Sequence, residues 1–155
     1  MTPIKKCLLN RNIKVKPIWL MRQAGRYLPE FREIRKKNTD FIKLCLNPEL
    51  SKEITLQPIK RFGFDAAVIF SDILMVPYGI GQPVEFKKNF GPQLGHLNNI
   101  NLDNISEKEF TDILAPVYKL LANLKNDSNL IGKDLIGFVG APWTLMVYMI
   151  NEVSP

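Results

Sequence analysis

The chain has 155 residues, a hydrophobic fraction of 46%, a charged fraction of 23% and a formal net charge of +6. That length can bury a real core, and that composition argues against disorder. No apolar run reaches the ~18 residues of a membrane span, and two well-separated cysteines with one histidine argue against a disulfide framework, a His-rich metal site and, unless His96 serves, a Ser-His-Asp triad.

Residues 1–16 are a polar, basic lead-in with a short helix expected over Ile4–Leu9. The lead-in has no long apolar h-region and no small-residue cleavage site, so a cytoplasmic protein is the expectation. Pro17–Met21 is apolar and reads as a short buried strand. Arg22-Gln23-Ala24-Gly25-Arg26-Tyr27 follows as a turn, and Pro29 suits the first turn of a helix over Pro29–Lys36, where its missing N–H is an orphan anyway. Gly25 allows a left-handed backbone or a close ligand approach. Each arginine offers a planar fork of donors suited to a carboxylate or phosphate. The alternative is that both arginines are solvated surface charges.

Asp40–Cys45 reads as one helical turn or two. Asn47, Pro48 and Glu49 form a helix start, and that helix runs to about Phe62, ending at Gly63. Pro58 inside it should bend or interrupt it. Asp65–Phe70 is a continuous apolar run after a turn, the pattern of a parallel strand buried on both faces. Ile73–Gly81 holds two glycines and a proline and reads as a loop or one broken turn. Pro83–Lys87 is extended, and Phe90–Asn104 is loop-rich. Ser106 and Glu109 make a capping box. The helix behind them runs to about Leu124 and bends near Pro116. Lys133–Gly140 is a second buried strand, and Pro142 starts a helix over Trp143–Asn151. Trp19, Phe138 and Trp143 read as core.

Alternating strands and helices argue for a parallel α/β sheet. A (β/α)8 barrel takes about 250 residues, so this chain supplies roughly the first three or four units. On such a barrel, functional residues stand at the C-terminal ends of strands. Three clusters have that place: Arg22/Gln23/Arg26, then Asp72, then Gly140-Ala141-Pro142-Trp143 with Tyr148 beyond. Asp72 is either a helix cap or turn residue, or a carboxylate in a partly apolar pocket set against a cationic or N–H-rich group. Tyr148 is either such a site residue or a helix-face aromatic packed in the core.

MRQAGRYLPEFREIR resembles the N-terminal signature of the uroporphyrinogen decarboxylase family. AAVIFSDILMVPYGIG and IGFVGAPWTLMVYMI are similar to its next two blocks, in the same order. The resemblance implies an α/β fold of the (β/α)8 TIM-barrel type, with residues 1–155 as the N-terminal part of a single barrel domain. It implies a carboxy-lyase of porphyrin and heme biosynthesis that turns the four acetates of uroporphyrinogen III into methyls without a cofactor, giving coproporphyrinogen III. It implies Asp72, Arg22 and Arg26 as catalytic, and Arg22, Gln23, Ala24, Gly25, Arg26, Arg35, Asp72 and Tyr148 as substrate-binding. It implies homodimers of the full-length enzyme, with no metal, membrane or nucleic-acid partner.

Those enzymes are roughly twice as long. Their second-half site residues, a histidine among them, have no counterpart here, and His96 sits in a different context. The 155-residue chain alone is therefore expected to be insoluble or molten and inactive, with helix positions such as Leu114, Val117, Leu120 and Leu121 short of neighbours. The competing readings are a catalytically inactive remnant or tetrapyrrole-binding module, and a basic nucleic-acid-binding domain. The last lacks any nucleic-acid motif or aromatic interleaving.

Overall fold

The computed structural model describes residues 1–10, 14, 16–87 and 90–153. Part of the basic lead-in and Lys88 lie outside them. Eight helices and four strands alternate unevenly among the described residues: α1 (Pro3–Asn10), α2 (Pro29–Lys37), α3 (Phe41–Cys45), α4 (Pro48–Phe62), β1 (Ala66–Val68), α5 (Met75–Gly79), β2 (Val84–Lys87), β3 (Gly91–Leu94), α6 (Glu107–Ile113), α7 (Ala115–Lys125), β4 (Asp134–Ile136) and α8 (Pro142–Asn151).

The helix boundaries follow local chemistry. Asp40 accepts from the Lys43 N–H, and Asn47 accepts from the Leu50 N–H, so each caps the helix behind it. Gly63 ends α4 in the left-handed conformation, with φ at 68°. Ser106 and Glu109 form the full reciprocal capping box. Pro58 does not interrupt α4, which is continuous around it. Pro116 does divide the next long helical stretch: α6 ends at Ile113, and α7 restarts with Pro116 in its first turn.

β1 and β4 pair in parallel, with Ala66 opposite Asp134 and Val68 opposite Ile136. The ladder extends a little at each end, through Asp134 N–H to Asp65 O and Ile69 N–H to Ile136 O, both at 3.0 Å. β2 and β3 form an antiparallel hairpin. One core gathers Leu28, Phe31, Ile42, Leu44, Ile54, Phe70 and Leu114 between α2, α3, α4 and α6. Phe41 joins the hairpin to that core, lying 4.6 Å from Phe86 and 5.8 Å from Phe70 between ring centroids. A second core packs Leu56, Ile59, Ala67, Ile69, Leu120 and Leu124 between α4, β1 and α7.

Several expectations need correction. Pro17–Met21 forms no strand. Ile18, Leu20 and Met21 are exposed, Met21 by 80%, and Trp19 is little better covered. An apolar run becomes a buried strand only when other elements cover both its faces; this one stays exposed and exchanges hydrogen bonds with Asp65, just before β1, through Ile18. The Asp65–Phe70 strand is three residues long. The Lys133–Gly140 strand shrinks to Asp134–Ile136 and is half-buried, with Phe138, Val139 and Trp143 beyond it exposed. Ile73–Gly81 contains a helix, α5. The loop-rich stretch contains β3, which pairs with β2 inside the extended Pro83–Lys87 segment. In the other direction, Leu114 and Leu120 are fully packed and Val117 and Leu121 lie against the second core, so α7 does not lack neighbours. The described residues close no barrel; the shown architecture is an α/β fold built on one parallel strand pair.

Candidate active site

Asp72 stands just past the C-terminal end of β1. That end is tied to α4: the Phe70 N–H donates to Thr55 Oγ1 at 2.9 Å, and Thr55 Oγ1 donates to Ser51 O at 2.7 Å. Asp72 Oδ1 accepts from the Leu74 N–H at 2.8 Å, and Asp72 O accepts from the Met75 N–H at 3.2 Å. So Asp72 does hold a turn, using one carboxylate oxygen for it. Burial nevertheless pushes its carboxyl above the ordinary range, against the opposing pull of the Leu74 N–H. A carboxylate that is costly to ionise in the empty protein is well placed to favour a cation delivered beside it.

Cys45, at the end of α3, is fully buried beside this carboxylate. Burial, and then the charge of Asp72, push its thiol up, while Arg35 pulls it down. Arg35 is half-buried. Its Nη1 donates to Asn38 O at 2.6 Å and Thr39 O at 3.3 Å, and its guanidinium lies 5.2 Å from the Phe41 ring centroid. Burial and then the charge of Arg26 lower its pKa. Arg26, Arg35, Cys45 and Asp72 therefore lie in a chain, each within the electric field of the next. Among the described residues no hydrogen bond or ion pair joins Asp72 to Arg22, Arg26 or Arg35. Arg22 and Arg26 are exposed.

The arginine turn hangs on β1 through Gln23. Its buried amide accepts from the Leu20 N–H at 2.9 Å and donates to Ala66 O at 3.0 Å. Both ends of that side chain are thus committed to main chain. Tyr27 Oη donates to Gln23 O. Ala24 and Gly25 are half-buried, and Leu28 N–H closes the turn on Gly25 O at 3.0 Å. Gly25 is not left-handed, so that option is unused.

Because β1 and β4 are parallel, the Gly140–Trp143 turn stands at the same end of the pair as Asp72. Gly140 is buried, and a Cβ built on it would meet the Ile73 Cβ at 3.2 Å, so the two loops touch. Tyr148 is half-buried on α8, two turns further on. His96 lies elsewhere, with Nδ1 2.5 Å from Glu152 Oε1. Sequence reasoning missed Cys45, Thr55 and Gln82, described below. An isolated Cys or Thr in an apolar helix carries no signal that it will meet a particular carboxylate or strand end.

The family model described as uroporphyrinogen decarboxylase (URO-D) matches residues 1–154. The chain belongs to the uroporphyrinogen decarboxylase family. It is 47% identical over 145 residues to the uroporphyrinogen decarboxylase of Chelativorans sp. (strain BNC1), covering 94% of this chain and 42% of that protein. To the uroporphyrinogen decarboxylase of Granulibacter bethesdensis it is 42% identical over 151 residues, covering 96% and 44%. To that of Rickettsia felis it is 44% identical over 143 residues, covering 92% and 41%. The chain thus spans about two fifths of the length of these curated relatives. Among solved structures, a methyltransferase from Methanosarcina mazei superposes with a TM-score of 0.65 over 97% of this chain and 46% of its own, at 14% identity. That likeness concerns the fold alone.

Proposed function

We propose that residues 1–155 form the N-terminal part of a uroporphyrinogen decarboxylase barrel, and that the completed enzyme converts uroporphyrinogen III to coproporphyrinogen III. The observation that carries this reading is Asp72: a carboxylate pushed up by burial, at a strand end, in a chain of this family. Exposed Trp19, Phe138, Val139 and Trp143 support a barrel completed by further units. They flank the parallel pair and would be covered by strands and helices on either side of it.

In the proposed reaction a pyrrole ring takes a proton and becomes cationic. The bond between an acetate methylene and its carboxylate then breaks, its electron pair enters the ring, and CO2 leaves. The methylene takes a proton and becomes a methyl, and the ring then releases the proton it first took up, so the neutral pyrrole is restored with a net uptake of one proton for each CO2 lost. The ring itself is the electron sink, so no cofactor is called for. Asp72 accepts from the pyrrole N–H groups and stabilises the positive ring. Because that charge develops toward the transition state, a fixed anion there lowers the barrier more than it tightens ground-state binding.

The substrate's rim carries eight carboxylates. Arg22 and Arg26, with Arg35 behind them, supply the complementary sign, and forked Arg–carboxylate pairs would orient the macrocycle. Gln23, Ala24 and Gly25 contribute the turn that aims the two arginines, with Ala24 and Gly25 presenting main chain to the substrate. Tyr148 contacts the macrocycle from α8. The completed enzyme is a homodimer in the cytoplasm on this reading.

The test offers uroporphyrinogen III to residues 1–155 alone and to residues 1–155 co-expressed with the part of the Rickettsia felis relative that this chain does not span. The expected result is coproporphyrinogen from the pair and none from the chain alone. Failure of the pair to turn over, while both pieces are soluble and associated, would overturn the reading.

A further inference from the structure

Gln82 lies where three elements meet. Its main-chain N–H donates to Pro77 O of α5 at 2.9 Å. Its side chain is 1% exposed. Nε2 donates to Gly95 O, just past β3, at 2.7 Å, and to Met149 O in the last turns of α8 at 3.1 Å. The same elements meet again through Leu94 N–H to Glu152 O at 2.8 Å and through an antiparallel bridge between Gln93 and Val153. The amide oxygen of Gln82 has no partner among the described residues.

A buried acceptor without a partner is costly, and an apolar side chain of similar shape would avoid that cost. The donor end must therefore matter. It joins two carbonyls from elements distant in sequence. Of α8, only Leu145 is fully buried, and Trp143, Met146 and Ile150 are exposed. With so little apolar packing along its length, the placement of α8 depends on contacts at its two ends. At the start Gly140 packs against Ile73 and Leu145, and at the far end the Gln82 amide holds Met149 O within the helix while Leu94 and Gln93 hold Glu152 and Val153 just beyond it.

We infer that Gln82 is a positioning residue which sets the separation of Asp72 and Tyr148. This rests on the decarboxylase reading. α5 starts from the main chain of Asp72, Gln82 hangs on α5, and its amide grips Met149, the residue after Tyr148. Gln82 acts through these elements and does not touch the substrate. Without the grip, the last turns of α8 are held only beyond the helix, at Glu152 and Val153, and Tyr148 loses its fixed distance from the carboxylate.

The test uses the chain co-expressed with the part of the Rickettsia felis relative that it does not span, with Gln82→Met and Gln82→Glu in this chain, each alone and combined with Tyr148→Phe. Amide hydrogen exchange of α8 and α4 is read together with uroporphyrin affinity from fluorescence titration. Gln82→Met should speed exchange in the second half of α8 about tenfold, leave α4 unchanged and weaken uroporphyrin about tenfold. That weakening should vanish in the Tyr148→Phe background, because the two changes remove one arrangement. Gln82→Glu should regain affinity as pH falls and its carboxyl recovers a proton to donate. Unchanged α8 exchange, or an affinity loss of the same size with Tyr148→Phe, overturns the inference. A parent pair that associates yet takes up no uroporphyrin overturns the functional reading instead, and the exchange contrast still decides the grip on α8.

Discussion

Gln23 Nε2 donates to the main-chain oxygen of Ala66 across 3.0 Å, so the turn bearing Arg22 and Arg26 is fastened to β1 by one buried amide. The same amide accepts from the Leu20 N–H. Gln23→Leu removes both bonds and leaves a main-chain donor and acceptor unpaired. Each such loss costs about 1–3 kcal/mol. Gln23→Leu should therefore lower unfolding stability by about 2–6 kcal/mol, read as a lower urea midpoint at unchanged slope. A midpoint equal to the parent's would show that the turn is held by something else.

Asp72 makes an opposite prediction for stability. Its pKa is raised above the ordinary 3.8 chiefly by burial. The native state thus holds this proton more tightly than the unfolded chain, and ionisation above the raised pKa takes stability away. Asp72→Asn removes that penalty. The variant should melt higher than the parent at about pH 7, and the difference should shrink as pH falls through the raised pKa toward 3.8. Thermal melts over that range check it. A variant that melts lower at every pH would mean that the charge on the acceptor of the Leu74 N–H outweighs the burial cost.

The contrast between these two residues shows what the sequence made legible. Features set by neighbours along the chain were readable: the Asn47 cap, the end of α4 at Gly63, the Ser106–Glu109 box and the start of α8 at Pro142. So was the place of Asp72 after a strand, because an apolar run followed by Ser-Asp is a local pattern. Features set by what lies opposite were not. Pro17–Met21 has strand composition but lacks elements on both sides, and Gly91–Leu94 pairs with β2 despite its glycine and proline. The family resemblance implies Gln23 as substrate-binding; the bonds of its side-chain amide to the main chain of Leu20 and Ala66 were not legible, because Ala66 lies opposite it in the fold and far off in sequence.

Gly140 joins the two loops of the candidate site by lacking a side chain. A Cβ there would lie 2.6 Å from Leu145 Cδ2 and 3.2 Å from the Ile73 Cβ. Gly140→Ala should push the start of α8 away from the Asp72 loop and cost about 1–3 kcal/mol as overpacking. Gly137→Ala is the control, since nothing lies within 4 Å of its Cβ. Equal melts for the two variants would contradict the contact.

Asp72 is a half-buried carboxylate proposed to act as an anion on a ring that becomes positive. The most direct measurement is coproporphyrinogen formation by residues 1–155 paired with the complementary part of the Rickettsia felis relative, with and without Asp72→Asn. Asn keeps the size and the acceptor for the Leu74 N–H but removes the charge. Turnover should fall at least about 100-fold, with the variant still folded and still binding uroporphyrin. Turnover within a few fold of the parent's would contradict the role assigned to Asp72, and with it the reading of this site.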